Sequence, residues 1–78
     1  MQRYRVLLER KAFRQLEKLS EDTRNRILEA LHILRDEGFS RRLDITKLRG
    51  YKNQYRLRIG KYRILFELRP QRTVVVYA

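Results

Sequence analysis

The chain has 78 residues, 42% of them apolar and 37% charged, with 20 Lys or Arg against 9 Asp or Glu for a net charge of +11. That is one globular domain, residues 1–78, with a thin core, because so short a chain buries only about 60% of its unfolded surface. No cysteine and a single histidine exclude disulfides, thiolate metal sites and most zinc arrangements, the longest apolar run, Val74 to Ala78, falls far short of the roughly 20 residues of a membrane span, and the start does not resemble a signal peptide, so a soluble cytoplasmic protein is expected.

In chain order, Tyr4, Val6 and Leu8 alternate with Arg3 and Arg5, which predicts a short strand. Phe13 and Leu16, with Ala12 and Leu19 beside them, fall at helical spacing over Arg10 to Leu19. Ser20 then reads as an N-cap, with Glu21 and Asp22 in the first turn where the helix dipole favours them. Ile27, Ala30, Leu31 and Leu34 form the apolar stripe of a second helix, and Gly38 stands where a C-terminal glycine belongs. Residues 39–53 are mixed and basic and carry no clear period; Leu43, Ile45 and Leu48 are expected to anchor them to the core. Tyr55 to Ile59 alternates with period two, and Gly60-Lys61 suits a type II′ hairpin with glycine first. Tyr62, Ile64, Phe66 and Leu68 make a second alternating run, and after Pro70-Gln71 the stretch Thr73 to Ala78 reads as a third, nearly all-apolar strand. The expectation is an α+β fold of order β-α-α-β-β-β, with two N-terminal helices packed on one face of a small antiparallel sheet.

Charge is unevenly spread along this order. Residues 1–39 hold nine Lys or Arg and seven Asp or Glu, while residues 40–78 hold eleven Lys or Arg and only Asp44 and Glu67. A half-chain with a net charge of +9 attracts polyanions, nucleic acid first among them; a basic surface kept for solubility or heat tolerance is the alternative. The hairpin sharpens the first reading. A Gly60-Lys61 turn places Ile59 opposite Tyr62, Leu57 opposite Ile64 and Tyr55 opposite Phe66, all on one apolar face. The other face then sets Arg58 directly across from Arg63, with Arg56 across from Leu65. Like charges opposed on a sheet cost a few tenths to about 1 kcal/mol, and an anion bound between them removes that cost. Three guanidiniums on an open face suit a phosphate, which each grips in bidentate fashion. Lys47, Arg49, Lys52 and Lys61 are candidates to extend the track along RNA or DNA, with Tyr51 and Tyr55 as stacking surfaces, although Tyr55 falls on the core face. Glu67 shares the arginine face and is expected to pair with a neighbouring arginine. His32 has no partner at metal-ligand spacing and Ser20 no base to activate it, so neither is a catalytic candidate.

The stretch Lys47-Leu48-Arg49-Gly50, followed by Tyr55-Arg56-Leu57-Arg58-Ile59-Gly60-Lys61-Tyr62-Arg63-Ile64-Leu65-Phe66-Glu67, resembles the RelE/ParE toxin superfamily, whose members show a "K-L-x-G … Y-R-x-R-x-G-x-Y-R-hydrophobic" signature after two helices. In the RelE branch the resemblance implies an endoribonuclease that enters the ribosomal A site and cuts messenger RNA. It needs no metal or other cofactor: the ribose 2′-hydroxyl attacks the adjacent phosphate and leaves a cyclic phosphate end. By resemblance, Arg56, Arg58 and Arg63 are the catalytic positions. Some relatives carry lysines at the first two, whereas arginine is a poor proton acceptor, so Arg56 and Arg58 are cast as phosphate clamps and charge stabilisers. The ParE branch implies instead a non-enzymatic inhibitor of DNA gyrase, and an inactive relative that only binds its antitoxin is a further alternative. Relatives continue past the last strand into a basic, tyrosine-bearing tail that supplies catalytic side chains in the nuclease branch. This sequence stops at Val76-Tyr77-Ala78, so the domain is expected to lack that tail. Under each alternative the resemblance implies a cognate RelB-like antitoxin, expected to be acidic and amphipathic.

Overall fold

Seven elements make up the computed structural model, which describes residues 3–78. They are β1 (Arg5–Leu8), α1 (Arg10–Glu17), α2 (Glu21–Glu37), β2 (Asp44–Lys47), β3 (Gln54–Ile59), β4 (Tyr62–Arg69) and β5 (Thr73–Val76). The strands form one sheet in the order β1-β5-β4-β3-β2, and the helices cover one of its faces. Among the described residues no helix is long and apolar enough to cross a membrane.

The α+β architecture is the expected one, with two differences in the sheet. It has five strands, because Asp44–Lys47 adds to the free edge of β3. It is also mixed rather than antiparallel, because β1 runs parallel to β5, Arg5 beside Thr73 through Leu8 beside Val76. Flanked by β1 and β4, β5 has no exposed edge, and Val74, Val75 and Val76 are all buried; a strand enclosed in this way reads as a continuous apolar run.

The helix stripes form as the spacing requires. Ile27, Ala30, Leu31 and Leu34 of α2 and Ala12 and Leu16 of α1 pack over Leu57, Ile64, Phe66, Val74 and Val76, with Leu43 and Ile45 at the margin. Phe13 does not join them and is 51% exposed, since the buried pair at four-residue spacing is Ala12 and Leu16. Helix α1 also ends two residues early: the Lys18 and Leu19 amides donate to the carbonyls of Gln15 and Leu16, tightening the last turn toward Ser20. Ser20 caps α2, its hydroxyl accepting the Thr23 amide at 3.3 Å. At the other end of α2, where the dipole disfavours a carboxylate, Asp36 accepts from Arg35 Nε at 2.8 Å, and that hydrogen bond holds its carboxyl below the usual carboxylate range.

Gly38 ends α2 with φ 72° and ψ −140°, a region nearly closed to side chains, and a Cβ there would lie 2.7 Å from the Tyr4 ring. Gly38→Ala is expected to cost roughly 2 kcal/mol or more. Thermal unfolding reads this as a midpoint lowered by about 8–16 °C.

Candidate nucleic-acid interface

The β3–β4 hairpin sets the site. Gly60 has φ 59° and is the sole turn residue with positive φ, as a type II′ turn requires. The register is therefore Ile59 beside Tyr62, Arg58 beside Arg63, Leu57 beside Ile64, Arg56 beside Leu65 and Tyr55 beside Phe66, as expected from the sequence. Alternation sends Tyr55, Leu57, Ile59, Ile64 and Phe66 toward the helices and Arg56, Arg58 and Arg63 to the uncovered face.

No carboxylate neutralises these three arginines: among the described residues none forms an ion pair. Asp44 stands beside Arg58 from the β2 side, yet Arg58 Nε turns to the Gly60 carbonyl at 3.2 Å. The turn thus steadies Arg58 without cancelling its charge. Arg56 lies between Thr46 on β2 and Leu65 on β4, and its Nε is buried with no hydrogen-bond partner. A buried donor left unmade costs about 1–3 kcal/mol, a cost that an anion drawn onto this face would offset. Arg56→Met, which keeps the apolar stem and removes the orphaned donor, is expected to raise stability by about 1 kcal/mol. Urea unfolding checks this, and a midpoint below that of the native chain would count against the orphaned donor.

The other basic candidates are not gathered into one track. Lys47 pairs with Tyr55 and so shares the helix-side face. Arg49 and Lys52 lie in the β2–β3 loop, and Lys61 in the hairpin turn at the opposite end of β3, about 17 Å away along six residues of strand. Lys61 Nζ sits 5.6 Å from the Tyr62 ring centroid. Tyr51 is 62% exposed and free to stack on a base. Tyr55 is enclosed by Phe39 at 4.9 Å and Phe66 at 5.5 Å. Glu67 accepts Arg69 Nε at 2.6 Å and Gln54 Nε2 at 3.3 Å, the expected ion pair. Arg5 and Arg69 also belong to the uncovered face, flanking Thr73. Alternation puts each on the polar side of its own strand, but only the position of β5 between β1 and β4 brings them into one row. Among the described residues no three His, Cys, Asp or Glu side chains come together to hold a metal ion.

A groove of about 590 Å³ opens between the helices and β4, lined by Ala12, Leu16, Leu31, Ile64 and Leu65 with Arg63 at its border. It brings an apolar trough up to the edge of the arginine face.

Residues 6–78 match a family model described as the ParE toxin of type II toxin-antitoxin system, parDE. Among solved structures, the chain is similar to the archaeal RelE–RelB complex from Pyrococcus horikoshii OT3, with a TM-score of 0.82 at 27% identity over 95% of this chain and 89% of that one. It is similar also to the RelB–RelE antitoxin–toxin complex from Methanococcus jannaschii, with a TM-score of 0.78 at 27% identity over 91% and 84% of the two chains. The intact E. coli RelBE toxin–antitoxin complex shares the fold, with a TM-score of 0.74 at 21% identity over 96% and 92%. No curated protein matches the chain in sequence.

Proposed function

The chain belongs to the RelE/ParE superfamily of toxins from type II toxin–antitoxin systems, and from that premise we propose that it is a ribosome-dependent endoribonuclease toxin acting on messenger RNA. The observation that carries this reading is the opposition of Arg58 and Arg63, neither in an ion pair among the described residues, beside the orphaned Arg56 Nε on an uncovered sheet face. In the proposed reaction the ribose 2′-hydroxyl gives up its proton and its oxygen attacks the adjacent phosphorus. The bond to the 5′-oxygen of the next nucleotide breaks, that oxygen takes up a proton, and a 2′,3′-cyclic phosphate remains. Negative charge grows on the phosphoryl oxygens as the new bond forms. In this reading Arg58 and Arg63 straddle those oxygens and Arg56, two residues back on β3, holds the phosphate, so the site works by positioning and by fixed positive charge.

A RelB-like antitoxin is the proposed partner. An acidic, amphipathic segment would lay its apolar side in the groove between the helices and β4 and its carboxylates over Arg63 and its neighbours. That occupancy keeps phosphate from the site.

Mapping new 5′ ends on the message in a cell-free translation reaction tests the reading. Cuts that appear only on ribosome-occupied message support it, and intact message under continued translation overturns it. The family model itself favours a second reading, since it describes the ParE toxin: inhibition of DNA gyrase through protein contacts. A supercoiling assay separates the two, because the nuclease leaves supercoiling untouched.

A further inference from the structure

The uncovered face carries a second arginine pair that the site above does not use. Arg5 on β1 and Arg69 on β4 flank Thr73 of β5 in one cross-strand row, and both are exposed. Along β4 this row lies six residues from that of Arg63 and Arg58, about 20 Å. Between the two rows the face is mixed: Leu7 stands beside Val75 and Leu65 beside Arg56, while Glu67 stands between Val75 and Gln54. Leu7 is 45% exposed, whereas Val75 is buried although no helix covers this face, so the long side chains around it form its cover. The face thus carries cations at both ends, with the apolar side chains of Leu7, Val75 and Leu65 and the paired carboxylate of Glu67 between them. Glu67 accepts Arg69 Nε at 2.6 Å, which holds the guanidinium by that one nitrogen.

We propose that Arg5 and Arg69 form a second phosphate subsite, which holds the single-stranded message several nucleotides from the Arg58–Arg63 pair while bases rest on the apolar side chains of Leu7, Val75 and Leu65. The inference rests on the RNA reading above. It makes the sheet a two-point clamp: an extended strand anchored at both rows cannot slide, and the distance between the rows sets which phosphate reaches Arg58 and Arg63.

Direct binding at low salt tests the subsite with two labelled probes. One is an oligouridine of about ten nucleotides, within the range covered by one small single-strand-binding domain; the other is the dinucleotide UpU, too short to span both rows. Arg5→Ala/Arg69→Ala is expected to weaken the long probe roughly tenfold, to weaken UpU far less, and to flatten the log–log salt dependence of the long probe by about 1.4, two lost phosphate contacts at 0.7 each. Lys11→Ala/Lys18→Ala removes the same charge from α1 and serves as control, and Arg5→Lys/Arg69→Lys is expected to recover most of the affinity. Equal losses on the two probes, or a loss no larger than that of the control, overturn the subsite. Unchanged RNA affinity with weakened antitoxin affinity reassigns the pair to the protein partner and likewise overturns it. If the native chain binds neither probe, the subsite is overturned, while the RNA reading is decided separately by the cell-free cleavage reaction.

Discussion

Replacing Arg58 or Arg63 with alanine is expected to abolish message cleavage and growth arrest while leaving the domain folded and slightly more stable. The two effects have opposite signs for one reason. The guanidiniums stand directly opposite each other, and among the described residues no carboxylate forms an ion pair with either. Removing one relieves a repulsion worth a few tenths to about 1 kcal/mol. The same removal takes one of the two clamps from the phosphate where charge develops, a loss on the order of 10²–10³ in rate for a donor aimed at a transition state. Because the pair acts on one phosphate as a unit, the double variant is expected to lose little beyond either single one. Cleavage rates on translating ribosomes and urea midpoints of the purified variants give the two readouts. Retention of full toxicity by both single variants would remove this pair from the active site.

This face was legible in the sequence because a hairpin is a local object. Gly60-Lys61 admits few turns, the turn fixes the register, and the register carries Arg56, Arg58 and Arg63 to one side with their neighbours known. Strand β2 was not legible for the opposite reason. Of its four residues only Ile45 packs on the core, so it shows no alternation, and it becomes a strand through the edge that β3 offers. The same limit hid the parallel pairing of β1 with β5, which joins residues at the two ends of the chain. It hid the row that Arg5 and Arg69 form across Thr73, since β1 and β4 come together only through β5 between them. Helix ends fared better: Ser20 and Gly38 cap α2 where their chemistry places them, whereas Phe13 was misread because an eight-residue helix over a thin core buries two residues and not four.

Phe66→Ala is expected to cost about 3–5 kcal/mol, the largest stability change of any substitution considered. Phe66 is fully buried on the central strand β4. Its ring stacks on Tyr55 at 5.5 Å and meets the edge of Phe39 at 5.9 Å, contacts that add about 0.5–1.5 kcal/mol each to the burial itself. A domain of this length has about 4–12 kcal/mol to lose in total, so the variant stands near or past its unfolding transition at growth temperature. Its melting midpoint is expected to fall by about 12–40 °C, whereas Phe66→Leu, which keeps most of the volume, is expected to stay cooperative. The comparison bears on function as much as on folding. Phe66→Ala and Arg58→Ala both silence the toxin in cells, but the first does so by depleting folded protein and the second leaves a domain that melts at or above the native midpoint. Phe66 lies one residue past Leu65, the cross-strand neighbour of Arg56, so a collapse of the helix-side core also dissolves the arginine face on the other side of the same strand. Unchanged melting of Phe66→Ala would show that the helices do not pack on this face of the sheet, and the assignment of the opposite face to RNA would fall with it.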